Sequence, residues 1–119
     1  MDARHLRGRA AEQAACDYLQ KKGLSLIARN VRSRNGEIDL VMRDAGSLVF
    51  VEVRYRGNKR FGTAAESVDT RKQQHLVNAA SLYIQRHDPA GKMATRFDVI
   101  AMEDETHSNI EWIKNAFGV

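Results

Sequence analysis

The chain has 119 residues, 43% apolar and 29% charged, which suits one water-soluble domain with a single modest core. Its one cysteine, Cys16, excludes a disulfide-built secreted domain and fits a reducing cytosol, and no stretch approaches the roughly 18 apolar residues of a membrane span. The net charge of +4 is uneven: residues 1–87 carry 16 Lys/Arg against 9 Asp/Glu and residues 88–119 carry 3 against 6, so a basic body that attracts polyanions precedes an acidic tail.

The chain begins MDARHLRGRAAEQ, without the apolar run of a signal peptide, so a cytoplasmic location is expected. Residues 4–22 predict a helix, because Leu6, Ala10, Ala11, Ala14, Ala15, Tyr18 and Leu19 recur near the 3.6 period. Gly23 stands where a helix-ending glycine belongs, after Lys21 and Lys22, which suit the negative end of the helix dipole. Residues 24–32 predict a strand, and the turn at 33–36 leads into a second strand over 36–44. Ala45-Gly46 turns the chain into a third strand, 47–55, which makes a hairpin with the second. Residues 54–66 read as a basic loop rich in small residues. A helix follows over 68–87, with Asp69 or Thr70 as its N-cap, until Asp88-Pro89 and Gly91 break it. TRFDVIAM is a fourth strand, and IEWIKNAF closes the chain as a short strand or edge. With no repeat, low-complexity tract or linker, residues 1–119 read as one domain. The order αβββαββ predicts an α/β fold, a mixed central sheet flanked by helices.

The chemistry concentrates in GEIDLV, residues 36–41, and VFVEVR, residues 49–54. Side chains alternate along a strand, so Glu37 and Asp39 are expected on one face and Ile38 and Leu40 on the other. On the next strand Phe50, Glu52 and Arg54 share a face, opposite Val49, Val51 and Val53. Carboxylates among such apolar neighbours are costly unless paired or bound to metal. Adjacent strands lie about 4.8 Å apart, so Asp39 and Glu52 can converge on one ion. An oxygen-only site suits Mg²⁺ or Mn²⁺, with the Val53 carbonyl as a further ligand. The metal would stabilise phosphate charge and acidify an attacking water. The plainer reading is a half-exposed sheet face whose acids pair with Arg54 or Arg43.

The pattern G-E-x-D, a short hairpin, then hydrophobic-E-V-basic resembles the core of the restriction-endonuclease-like, PD-(D/E)xK, nucleases, among which archaeal Holliday-junction resolvases are small members. GEIDLVMRD, LVFVEVRYR, FGTAAESV, RKQQHL, RFDVIAM and IEWIKNAF together resemble the YraN-like family of small bacterial proteins, over nearly the whole chain. The nuclease resemblance covers the middle third. It implies a restriction-endonuclease-like fold, with Asp39 as the metal-binding acid of the first motif strand and Glu52 as the acid of the second motif. Arg54 stands where that motif has lysine. Lysine can exchange a proton when its pKa is lowered, whereas arginine stays protonated and can only orient water or stabilise negative charge. The resemblance also points to Glu12, since related small nucleases carry a metal-proximal glutamate on their first helix; an ordinary surface charge is the alternative. Glu37 is a further candidate ligand.

Lys72 and Gln73 each head an apolar stripe, Lys72 through Leu76, Ala79, Ala80 and Tyr83, Gln73 through Val77, Ala80 and Ile84. Either can point past the core to the site, where Lys72 would supply the cation that Arg54 replaces; a snorkelling lysine at a helix start is the alternative. Arg56, Lys59 and Arg60, with Arg54 beside them and Tyr55 and Phe61 interleaved, suit phosphates and bases, as do Arg32 and Arg34. Arg96 and Asp98 share a strand face and are expected to form a supporting ion pair. The four histidines, at 5, 75, 87 and 107, form no HxxxH or HxH pair, so zinc is not expected. No glycine-rich phosphate loop supports a nucleotide cofactor. The leading expectation is a Mg²⁺- or Mn²⁺-dependent endonuclease on branched, damaged or duplex DNA. The alternatives are a nucleic-acid-binding module that keeps the fold without the chemistry and an accessory protein-binding domain. The small surface of one domain also admits a homodimer spanning a duplex.

Overall fold

The computed structural model of the chain describes residues 3–34, 36–55, 68–102 and 109–118. The elements run α1 (Ala3–Lys21), β1 (Ser25–Ser33), β2 (Gly36–Asp44), β3 (Ser47–Tyr55), α2 (Thr70–His87), β4 (Ala94–Met102) and β5 (Ile110–Phe117). This is the expected order, with boundaries shifted by at most two residues. The sequence-predicted loop lies outside the described residues from position 56 onward.

The strands lie in chain order in one five-stranded sheet. β1, β2 and β3 form an antiparallel meander. β4 pairs parallel to β3, and β5 returns antiparallel to β4. A parallel partner needs a crossover rather than a hairpin, and α2 lies within that connection.

Each helix covers one face. Ala11, Ala15, Cys16 and Leu19 of α1 bury against Leu40, Met42, Val49, Val51, Ile100 and Met102. Leu76, Ala79, Ala80 and Tyr83 of α2 bury against Ile38, Val41, Leu48, Phe50, Phe97 and Val99. Covering both faces explains why β2, β3 and β4 read as nearly unbroken apolar runs. Full burial of each large aliphatic side chain contributes about 1.5–3 kcal/mol.

Local chemistry sets the helix ends. At the end of α1 the Leu24 N–H donates to the Leu19 carbonyl and the Gly23 N–H to the Gln20 carbonyl, both at 3.0 Å. Gly23 has φ 101°, and Leu24 packs in the same core as Leu19, which completes a Schellman cap. At the start of α2 the Asp69 side chain accepts from the Lys72 N–H at 2.8 Å. Of the two N-cap candidates Asp69 is the one used, and the cap fixes the first turn that carries Lys72.

The strand alternation read from the sequence fails at one place. Ile38 lies in the α2-facing core and Leu40 in the α1-facing core, so the two do not share a face as expected. Ala28 and Val31 of β1, which pair with Val41 and Ile38, also face α2, although they are three residues apart. Both strands therefore slip phase around Asn30 and Asp39. Asn30 takes φ 48°, a left-handed conformation that asparagine tolerates better than most residues. The slip decides where the acidic side chains go.

Candidate metal-binding carboxylate site

The site forms where the sheet splits. β2 and β3 pair from Asp44–Ser47 to Leu40–Val51 and no further. Beyond that point β2 stays with β1 as far as Gly36–Ser33, while β3 stays with β4 as far as Tyr55–Met102. Asp39 lies in the fork, and its Oδ2 accepts the Val53 N–H at 2.8 Å. A side-chain oxygen thus takes a donor that a continuing ladder would have paired with backbone. The contact to Val53 shown here is its N–H, not the carbonyl expected as a ligand.

Glu52 approaches from the α2 side. It is 5% exposed, which excludes the half-exposed sheet face as a description of this acid. Its Oε1 lies 3.7 Å from Lys72 Nζ and 3.8 Å from Arg54 Nε, both longer than a charge-assisted hydrogen bond. Its Oε2 is buried without a hydrogen-bond partner among the described residues. Burial first, and then the Asp39 charge, push the Glu52 pKa up to about 7 against the pull of Lys72 and Arg54. Asp39 is likewise raised, by burial and then by Glu37, while its bond from Val53 and the nearby cations Lys72 and Arg54 oppose the rise.

Glu12 and Glu37 complete the cluster on the α1 side. With its amide nitrogen turned toward the acids, Asn30 donates to Glu12 Oε1 at 2.9 Å and to Glu37 Oε1 at 3.1 Å. Burial raises Glu12 to about 7, with Asp39 and Glu37 adding to the shift and Arg9 and Asn30 opposing it. The fork thus lets acids from both faces of the sheet act on Asp39: Glu12 and Glu37 from one, Glu52 from the other.

Lys72 reaches the cluster but Gln73 does not in this arrangement, since its Nε2 donates to the Val68 carbonyl at 2.9 Å. Arg32 is exposed, with Nε 3.8 Å from Glu37 Oε1. Arg34 is exposed in the β1–β2 turn. Arg56, Lys59 and Arg60 lie outside the described residues. Asn30 escaped the sequence reading. Its signal there is weak: an asparagine inside the run LSLIARNVR, where strands disfavour that residue.

The donor set is hard carboxylate oxygen, which suits Mg²⁺ or Mn²⁺, and the orphaned Glu52 oxygen has room in its chemistry for a cation. Among the described residues, however, no group of three or more His, Cys, Asp or Glu side chains stands in metal-holding geometry.

Arg96 and Asp98 form a structural network away from these acids. Asp98 is fully buried and accepts from Arg96 Nε at 3.0 Å, Trp112 Nε1 at 2.9 Å and the Asn115 N–H at 2.9 Å. Arg96 also donates to Asp44 at 3.0 Å. The expected ion pair is present, and it ties β2, β4 and β5 together.

Comparison with known proteins places the chain. The model of the uncharacterised protein family UPF0102 matches residues 11–102. The chain belongs to the UPF0102 family. A UPF0102 protein of Pseudomonas putida strain GB-1 is 52% identical over 112 residues, covering 92% of this chain and 91% of the relative. One from Nitrosococcus oceani is 49% identical over 114 residues, covering 95% and 92%. One from Janthinobacterium sp. strain Marseille is 49% identical over 114 residues, covering 96% and 89%. The matched span of the UPF0102 model contains Glu12, Glu37, Asp39, Glu52 and Lys72. No helix among the described residues is long and apolar enough to cross a membrane.

Proposed function

We propose that this UPF0102 chain is a metal-dependent DNA endonuclease, with Mg²⁺ or Mn²⁺ held by Asp39 and Glu52. One observation carries the reading. Glu52 is a buried carboxylate, set beside a second buried acid, whose Oε2 has no hydrogen-bond partner among the described residues and whose neighbouring cations, Lys72 and Arg54, stand at 3.7 and 3.8 Å, beyond charge-assisted hydrogen-bond length. Such a group is costly in a protein interior unless something else compensates it. Bound there, the cation supplies Lewis-acid stabilisation of phosphate charge and a more acidic water. In hydrolysis a water oxygen bonds to phosphorus, the bond from phosphorus to one deoxyribose oxygen breaks, and that oxygen gains a proton by way of solvent. Lys72 and Arg54 place positive charge beside Glu52, where negative charge on the phosphate would build up. The basic body of the chain supports DNA, branched or duplex, as the substrate, and a homodimer spanning it is compatible with this reading.

A second reading is a nucleic-acid-binding module without the chemistry. Arg54 in the place of a lysine favours it, and Lys72 beside Glu52 weighs against it. Two measurements decide. Mn²⁺ should raise the melting temperature of the wild type and not that of Asp39→Asn; equal shifts in both would remove the metal site. Cleavage of a panel of branched, nicked and blunt DNAs should require Mg²⁺ or Mn²⁺. Binding that is salt-sensitive, without metal-dependent cleavage, would support the module instead.

A further inference from the structure

β1 and the C-terminal half of α2 enclose a groove of about 630 Å³. Val31 from the sheet and Leu82 from the helix give it an apolar wall, and Ile27 adds an apolar side chain 43% exposed. Arg32, Arg34 and Arg86 also line it, and among the described residues no Asp or Glu does. His87 is exposed at one end with its ring tilted against that of Tyr83, centroids 4.2 Å apart and planes at 31°. The groove is thus apolar and aromatic within and edged by three arginines, of which Arg32 has the Glu37 carboxylate 3.8 Å away.

The strand that borders it is poorly suited to receive another strand. β1 has a register shift between Leu26 and Ala28 and a left-handed residue at Asn30. Both interrupt the flat ladder of N–H and C=O groups that strand addition needs. A ligand with flat apolar faces and repeated negative charge fits better. An unpaired nucleic-acid strand has both features, since its bases can stack on protein rings while its phosphates meet arginines. A duplex keeps those base faces stacked inside. The volume lies in the range of small-ligand pockets and accommodates roughly one or two nucleotides.

The groove also leads to the acids. Arg32, on its lining, pairs across the strands with Glu37, 3.8 Å from its carboxylate. We infer that this groove binds an unpaired strand of the DNA substrate and leads it to the carboxylate cluster. The inference rests on the nuclease reading for its substrate and names the part of that substrate the protein grips.

The test is fluorescence anisotropy with labelled oligothymidylate and with a blunt duplex of equal length, in EDTA. The proteins are wild type, Ile27→Glu and Arg86→Ala, two changes at exposed positions whose folding is checked by melting temperature. Both variants should bind oligothymidylate about tenfold or more weakly, the scale of one lost stacking or phosphate contact, with duplex binding within about twofold of wild type on the same scale. Equal losses on duplex, or no loss on oligothymidylate, would overturn the assignment. Tighter binding of oligouridylate RNA would overturn DNA as its occupant. Because EDTA removes metal, the two readings fail separately. Metal-dependent cleavage without groove-dependent binding leaves the nuclease and sinks the groove. Groove-dependent binding without cleavage does the reverse.

Discussion

Lys72 Nζ stands 3.7 Å from Glu52 Oε1, at the first turn of α2 above the fork in the sheet. The Glu52 side chain is 6% exposed and that of Lys72 is 35% exposed, so solvent screens only one partner. Lys72→Met removes a charge that holds Glu52 ionised. The expected cost is about 1–2 kcal/mol at alkaline pH, below the range for a fully buried pair because the lysine is screened. In a Glu52→Gln background the same change should cost almost nothing. Denaturant unfolding of the double-mutant cycle reads the coupling directly; equal costs in both backgrounds would show that the pair is not coupled.

Metal-free stability should fall as pH rises. Glu12 and Glu52 are each raised from 4.5 to about 7 in the folded protein. The folded state therefore holds more protons than the unfolded chain between those values. Stability rises with pH only where the unfolded state binds more protons, so here the sign is negative. The contribution is fully present below about pH 4.5 and is lost as pH climbs through about 7. Melting temperatures in EDTA should show this decline. Glu52→Gln, which removes one buried charge, should flatten it and raise the melting temperature at alkaline pH. A rise in wild-type stability attributable to these acids over the same window would contradict the assignment.

Asn30 should hold Glu12 in its charged form. Its amide bonds Glu12 and Glu37 together, and that bond opposes the rise in the Glu12 pKa. Asn30→Gly keeps access to the left-handed backbone and removes the amide. Glu12 should then titrate higher than in the wild type, followed by carboxyl-carbon NMR. An unchanged titration would mean that Asn30 serves only the backbone.

Asp98→Ala should be among the most destabilising single changes. It strips Arg96, Trp112 Nε1 and the Asn115 N–H of a fully buried acceptor. Breaking a buried charged network of this kind costs about 3–5 kcal/mol. Denaturant melts should show that loss. The Mn²⁺-induced shift should persist at temperatures where the variant is folded, because the network lies apart from Asp39 and Glu52.

Gly36 shows how the turn and the site are joined. A Cβ there would sit 3.3 Å from both Cβ and the carbonyl oxygen of His75, and Gly36 has φ 154°. Gly36→Ala should therefore cost about 1–3 kcal/mol by strain and crowding, read as a lowered unfolding midpoint. A neutral change would mean that α2 moves away freely at that point.

The order of the elements and their bounds to within two residues are local properties, and they were legible in the chain. Alanines at helical spacing, Gly23 after paired lysines, Asp69 three residues before Lys72 and the apolar runs of β2 to β4 each act over a few residues. Asp39 and Glu52 were legible for the same reason, since an acid inside an apolar strand stands out without any partner being known. The phase slip was not. Strict alternation put Ile38 and Leu40 on one face, but Asn30 on a neighbouring strand takes a left-handed conformation and the pairing of β2 with β3 stops at Leu40. Those are properties of strands packed together. Tertiary structure alone decided that Asp39 would turn its carboxylate to the Val53 N–H, that its charge would act on Glu12 and Glu52 from opposite faces, and that Lys72 would reach Glu52 where Gln73 would not. A carboxylate's identity is written in the chain, but its charge state depends on burial and neighbouring charges, which exist only once the sheet has folded and split.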